Sequence, residues 1–292
     1  MKDLLTLKEL SVEQIQSILD LALECEKGKY ENSLKDKIVA NCFFEPSTRT
    51  QYSFNTAEVR LGIKPLSFNP AGSSLNKGES FYDTIKTFES FGIDGIVIRD
   101  VHDKYYEDIR HLDFHILNAG DGSGDHPSQS LLDLLTIRRE FGKFEGLKIA
   151  IVGDISHSRV AHTNIEVMER LGMECFVSGP EEYREDGYNF IDFDKAVEEM
   201  DIIMLLRVQH ERHSQEMQIS KQDYNKQYGL NADRVSKMKD NAIIMHPAPF
   251  NRGVEIDDDV VECDKSRIFT QITNGVLARM AMLLVTVGGH EC

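Results

Sequence analysis

Ile38-Val39-Ala40-Asn41-Cys42-Phe43-Phe44 is a short apolar run that passes through Glu45-Pro46 into Ser47-Thr48-Arg49-Thr50 and a helical stretch reaching Leu61. A run of that length, rich in β-branched residues and followed at once by a helix, reads as a strand buried on both faces. Similar runs recur at Gly95 to Arg99, Leu147 to Gly153, Asp201 to Leu206 and Ala242 to His246. Between them lie amphipathic stretches. Ser11 to Lys27 repeats Val12, Ile15, Ile18 and Leu19 at helical spacing behind a Ser cap, and Glu79 to Phe91, Gln129 to Phe141 and Arg159 to Leu171 are alike. Strand and helix alternating along the whole chain predict the α/β class, with mainly parallel sheets flanked by helices.

The chain has 292 residues, enough for two domains. Leu147 to Gly153 reads as the first strand of a second sheet, so the junction is expected in the preceding helix. The expected division is a first domain over 1–135, a second over 136–274 and a C-terminal helix over 275–292. The pattern alone leaves open which domain receives that helix; the working expectation is the first.

A formal net charge of −16 sets the protein against phosphate backbones and anionic lipid, so neither a nucleic-acid nor a membrane partner is expected. No apolar run is expected to reach the ~18 residues of a membrane span, and Met1-Lys2-Asp3-Leu4 does not open a signal segment. The expected compartment is the cytoplasm. Cys25, Cys42, Cys175, Cys263 and Cys292 show no paired spacing and are expected to be idle thiols. His210 and His213 lack a metal-binding frame, and no metal and no cofactor are expected.

Several segments carry chemistry. Ser47-Thr48-Arg49-Thr50 sets three hydroxyls and a guanidinium at a helix start, where unpaired N–H groups and the helix dipole favour an anion. Plain N-capping is the competing reading of Ser47 and Thr48. Gly72-Ser73-Ser74-Leu75-Asn76-Lys77-Gly78 is a polar loop without Walker A spacing. Gly120 to Gln129 places His126 and, one turn on, Gln129 within reach of one ligand. In the second half, Arg159 opens a helix after a strand, and Arg207 and Gln209 sit two apart on one side of an extended chain, suited to a carboxylate. His246-Pro247-Ala248-Pro249 is a rigid turn able to present carbonyl oxygens.

Taken in order, Ser47-Thr48-Arg49-Thr50, the loop ending Lys77-Gly78-Glu79, Val97-Ile98-Arg99, His126-Pro127-Ser128-Gln129, Arg159, Arg207-Val208-Gln209 and His246-Pro247-Ala248-Pro249 resemble the aspartate/ornithine carbamoyltransferase family over nearly the whole chain. The resemblance implies a carbamoyl phosphate domain followed by an amino-acid domain, in a homotrimer whose active sites are shared between subunits. It implies that Ser47, Thr48, Arg49 and Thr50 hold the phosphate, that Thr50, Arg99 and His126 polarise the carbamoyl oxygen, and that Gln129 touches the carbamoyl nitrogen. Ser74 and Lys77 would arrive from a neighbouring subunit. Arg159, Arg207 and Gln209 would hold the carboxylates of L-aspartate, and Pro247 and Ala248 would line the carbamoyl and amine site.

The activity so implied is carbamoyl transfer from carbamoyl phosphate to L-aspartate, giving N-carbamoyl-L-aspartate and phosphate in pyrimidine biosynthesis. It leaves room for a regulatory chain or a dihydroorotase partner. Two arginines favour the acidic substrate, and ornithine transferases carry His-Cys-Leu-Pro where this chain has His246-Pro247-Ala248-Pro249. The rivals are a carbamoyltransferase for ornithine and a non-catalytic binding module of the same fold. Two departures stand out: Asp100 beside Arg99, expected to weaken that cation, and Phe250 after the proline turn.

Overall fold

The structure is a computed structural model that describes residues 1–208 and 220–292. In chain order the elements are α1 (Val12–Glu26), β1 (Ile38–Phe43), α2 (Thr48–Leu61), β2 (Lys64–Phe68), α3 (Phe81–Ser90), β3 (Gly95–Asp100), β4 (His115–Asp121), α4 (Pro127–Phe141), β5 (Lys148–Val152), α5 (Arg159–Arg170), β6 (Glu174–Ser178), α6 (Phe193–Glu199), β7 (Ile202–Leu205), α7 (Lys221–Tyr228), α8 (Ala232–Val235), β8 (Ile243–Met245) and α9 (Ile268–Val285). They form two compact units. One comprises Met1–Leu135 with Ile272–Cys292, the other Thr136–Gln271, and the boundary runs through α4 and α9. The C-terminal stretch of α9 therefore belongs to the first unit.

Each unit is built on a four-stranded parallel sheet. The first has the order β2-β1-β3-β4 and the second β6-β5-β7-β8. In both, the first and third strands lie side by side and the chain leaves them in opposite directions. The carboxyl ends of β1 and β3, and of β5 and β7, are thus topological switch points, where open α/β sheets place their ligands.

Local chemistry explains the elements. Ser11 and Gln14 close a reciprocal capping box on α1, Ser11 Oγ accepting from Gln14 N at 3.2 Å and Ser11 N donating to Gln14 Oε1 at 2.9 Å. Gly62 ends α2 at φ 81°, a left-handed conformation that favours glycine. Core strands are buried on both faces, as in β1 and β7. Ala40, Cys42, Ile96, Ile98 and Ile116 pack with Ile85, Tyr105 and Phe114 in the first unit, and Ala150, Val152, Ile203, Leu205 and Ile244 with Phe193 and Val197 in the second.

Three strands escape the sequence reading. β2 carries Pro65 and is a largely exposed edge strand, where a residue without a backbone N–H is tolerated. β4 contains Asn118 and Gly120, which break its apolar run, and β6 is short and begins on Glu174. One expectation is corrected by α9. Its 18 residues average a hydropathy of 1.4, so by length and composition it could cross a membrane, although Gln271, Asn274 and Arg279 interrupt the apolar run; 72% of that window is buried inside the protein.

Candidate active site

The first switch point collects the first set of expected residues. Ser47 N-caps α2, its Oγ accepting from Thr50 N at 3.4 Å, so the capping reading of Ser47 holds alongside its place at an anion-favouring helix start. Thr48 is exposed, Arg49 half-buried and Thr50 buried. Arg99 lies directly opposite Phe43 in the β1/β3 register, and Phe44 N donates to Arg99 O at 2.8 Å, so the strand pairing itself sets this arginine beside the Ser47 turn.

Arg99 Nη1 is 3.3 Å from His126 Nε2 and donates to Ala119 O at 3.4 Å, while Nη2 pairs with Glu45 at 2.9 Å. Glu45 is thus a carboxylate partner of Arg99. Asp100 instead accepts from His102 N at 2.8 Å and pairs with the His102 ring at 2.6 Å. Asp100 is thus engaged by His102, two residues on.

His126 is held by the loop between β4 and α4. Asp121 accepts from Lys104 N at 2.9 Å and Asp125 N at 2.6 Å, and burial pushes its carboxyl above the usual carboxylate range. Gly122 has φ 41°, and a Cβ there would sit 2.0 Å from Asp103 Oδ1 and 2.8 Å from Val101 O, so only glycine fits. His126 and Gln129 are both buried, and Gln129 Nε2 donates to the fully buried Asp133 at 3.0 Å.

Ser74 and Lys77 stand exposed on a one-turn 3₁₀ helix, and among the described residues neither is linked by a hydrogen bond or ion pair to this cluster. Neighbouring Ser73 is consumed within its own loop: its hydroxyl donates to Pro70 O at 2.7 Å and accepts from Leu75 N at 3.3 Å.

In the second unit Arg159 is the first residue of α5, after β5, and is buried; Arg207 follows β7 and is half-buried. They flank the second switch point. Gln209 lies outside the described residues, as do His210 and His213. The turn after β8 has Pro247 and Ala248 half-buried, with a cis bond at Ala248-Pro249. His246 braces it: His246 N donates to Gln271 Oε1 at 2.9 Å, and Nδ1 accepts from Ala248 N at 2.8 Å. That acceptance puts the imidazole proton on Nε2, which faces buried Glu255 at 3.4 Å. Phe250 packs edge-on against His246 at 5.8 Å. Glu255 also accepts from Asn251 N at 2.5 Å, and Asn251 Nδ2 donates to Val208 O at 3.1 Å, which ties the turn to the end of β7.

Glu45, Ser128, Asp133, Glu255 and Arg279 were not singled out from the sequence. A signal existed for Arg279, the one charge in its helix, and for Asp133 and Glu255, each four residues from its partner Gln129 or Asn251; Glu45 carried none, since Arg99 lies on β3.

Comparison with known proteins agrees with this geometry. Residues 2–139 match the family model for the aspartate/ornithine carbamoyltransferase carbamoyl-P binding domain, and residues 145–286 match that for the Asp/Orn binding domain. The chain is 50% identical over 289 residues to the aspartate carbamoyltransferase catalytic subunit of Listeria welshimeri, covering 98% of this chain and 95% of that one. It resembles the crystal structure of aspartate transcarbamoylase from Trypanosoma cruzi in complex with carbamoyl aspartate and phosphate, with a TM-score of 0.89 and 29% identity over 98% of this chain and 95% of that one. It also resembles the catalytic subunit of M. jannaschii aspartate transcarbamoylase, with a TM-score of 0.88 and 33% identity over 99% of both chains. With both family domains matched along its length and a curated relative half identical to it, the chain belongs to the aspartate/ornithine carbamoyltransferase family.

Proposed function

We propose that the protein transfers the carbamoyl group of carbamoyl phosphate to the amino group of L-aspartate, giving N-carbamoyl-L-aspartate and phosphate in pyrimidine biosynthesis. The observation that carries this reading is the convergence of Arg99 and His126, 3.3 Å apart, beside the N-terminus of α2 at the first switch point. There the Ser47 to Thr50 segment takes the phosphate through backbone N–H groups, hydroxyls and the Arg49 guanidinium. Thr50, Arg99 and His126 aim donors at the carbamoyl oxygen, and Gln129 receives the carbamoyl nitrogen. Arg159, Arg207 and Gln209 hold the two carboxylates of aspartate, and Pro247 and Ala248 offer carbonyls to its amine.

The chemistry follows from charge. The neutral amine attacks the carbamoyl carbon, the C–N bond forms and negative charge grows on the carbamoyl oxygen. Preorganised donors at that oxygen are worth ~2.7–4 kcal/mol each. The bond to the phosphate oxygen then breaks, and the departing phosphate accepts the proton lost by the amine, so no separate base is required. Positioning supplies the rest of the acceleration.

The exposed Ser74 and Lys77 support a further part of the reading, a homotrimer in which this loop completes a neighbour's phosphate site. The test is a colorimetric assay of ureido product with carbamoyl phosphate and either L-aspartate or L-ornithine. Product from aspartate alone is expected; product from ornithine alone, or from neither amine, overturns the proposal.

A further inference from the structure

Asp133 is fully buried one turn along α4 from Gln129, whose Nε2 donates to Asp133 Oδ1 at 3.0 Å. On an exposed helix face such a pair is an ordinary neighbour contact. Here the carboxylate is shut away from water, which is costly unless another charge compensates. Arg279 supplies that charge, from the part of α9 that belongs to the first unit. It is 2% exposed, donates to Gly275 O at 3.0 Å and to Ser128 Oγ at 3.3 Å, and lies near enough to Asp133 for the two charges to stabilise each other. A buried charge pair, kept where apolar side chains could fill the space, calls for a role beyond packing.

That role follows from what a carboxylate can do. An ionised carboxylate accepts hydrogen bonds and donates none, so the end of the Gln129 amide that faces Asp133 is its nitrogen. The amide oxygen is the end left over, and it makes no hydrogen bond among the described residues. Gln129 stands in the first turn of α4, its backbone N donating to His126 O at 3.0 Å, so it is carried by the same loop-to-helix junction as His126. An acceptor fixed at that junction suits a ligand N–H and gives nothing to a methyl group.

We propose that Asp133 is a positioning residue that holds the Gln129 amide with its oxygen toward the ligand, and that this orientation selects carbamoyl phosphate over an acyl phosphate of the same shape. The proposal deepens the carbamoyl-transfer reading and rests on it. Acetyl phosphate has a methyl group where carbamoyl phosphate has an amino group, and a site built around an oriented acceptor rejects the analogue that lacks the matching N–H.

The test is calorimetric binding of carbamoyl phosphate and of acetyl phosphate, with turnover measured alongside. Wild type should bind carbamoyl phosphate about ten-fold or more tightly than acetyl phosphate. Asp133→Asn keeps the size and adds a donor. The Arg279 charge draws the oxygen of the new amide, its amino group turns to Gln129, and the Gln129 amide inverts to face the ligand with N–H. This variant should lose about ten-fold or more in carbamoyl phosphate affinity while acetyl phosphate stays within about two-fold. In a Gln129→Ala background the same substitution should leave the ratio of the two affinities unchanged. Equal affinities in wild type, or a folded Asp133→Asn protein that keeps the wild-type preference or weakens both ligands alike, overturn the proposal, because a purely structural role moves both together. Where Asp133→Asn does not fold, neutron diffraction from deuterated wild-type crystals locates the Gln129 Nε2 deuterons: one directed at Asp133 upholds the proposal, and both directed away from it overturn it. A wild type that prefers carbamoyl phosphate yet makes no carbamoyl aspartate upholds the selection by Asp133 and strikes the transfer reading alone.

Discussion

Glu58 provides a quantitative test of how α2, the helix proposed to bind phosphate, is anchored. It lies on α2, fully buried, and both its oxygens accept from Asn41 Nδ2 on β1, at 3.0 and 2.8 Å. Burial raises its pKa from 4.5 to about 7, against the lowering effect of Asn41. Below pH 4.5 the carboxyl is protonated in both folded and unfolded chains and carries no penalty. Between 4.5 and about 7 the unfolded chain ionises while the folded chain retains its proton, so stability falls as pH rises. At 1.36 kcal/mol for each pKa unit, the loss reaches about 3 kcal/mol by pH 7 and is then constant. Glu58→Gln removes the titration and keeps the shape. Urea unfolding of both proteins at fixed concentration, from pH 4.5 to 8, should show the variant gaining about 3 kcal/mol relative to wild type across this window. Parallel stability profiles, or a relative gain on acidification, would refute the reasoning.

Other consequences are equally direct. Arg49→Ala should lower kcat by about 100-fold or more while leaving the far-UV circular dichroism unchanged; near-normal turnover would remove Arg49 from the phosphate site. Mixed trimers of Arg49→Ala and Lys77→Ala chains should recover activity that neither parent has, because one shared site is then intact; no recovery from verified mixed trimers would refute action of Lys77 on a neighbour. Burial raises the thiol pKa of Cys25 and Cys175 to about 12 and that of Cys42 further still, whereas Cys263 and Cys292 are partly exposed. An aromatic disulfide reagent should therefore label Cys263 and Cys292 in the native protein and reach the other three only after unfolding, and rapid native labelling of Cys42 would contradict that burial.

How much was legible in the sequence depended on how locally each feature is encoded. The buried strands at Ile38–Phe43 and Ile202–Leu205 declare themselves as apolar runs, and the Ser11 and Ser47 caps sit where their helices begin. Edge strand β2, with Pro65 and exposed side chains, shows no such run, because its only requirement is a partner on one side. Within the site, Arg99 and His126 could be nominated from motif order. Their 3.3 Å approach depends on the β1/β3/β4 register and on the Asp121 loop. Support from Glu45 was illegible, since its contact with Arg99 joins separate elements, and for Arg279 only its being the one charge in its helix gave a sign, not its partner Ser128.

Bond formation itself gives the most direct measurement of the central claim. The purified protein is incubated with ¹³C-labelled carbamoyl phosphate and ¹⁵N-labelled L-aspartate and followed by ¹³C NMR. The account predicts a new ureido carbon split by one-bond coupling to ¹⁵N, with one phosphate released for each such carbon and no signal from the Arg49→Ala protein. A folded wild-type protein that leaves carbamoyl phosphate to decay without that coupling, or that forms the coupled product only when ¹⁵N-labelled ornithine replaces aspartate, would contradict it.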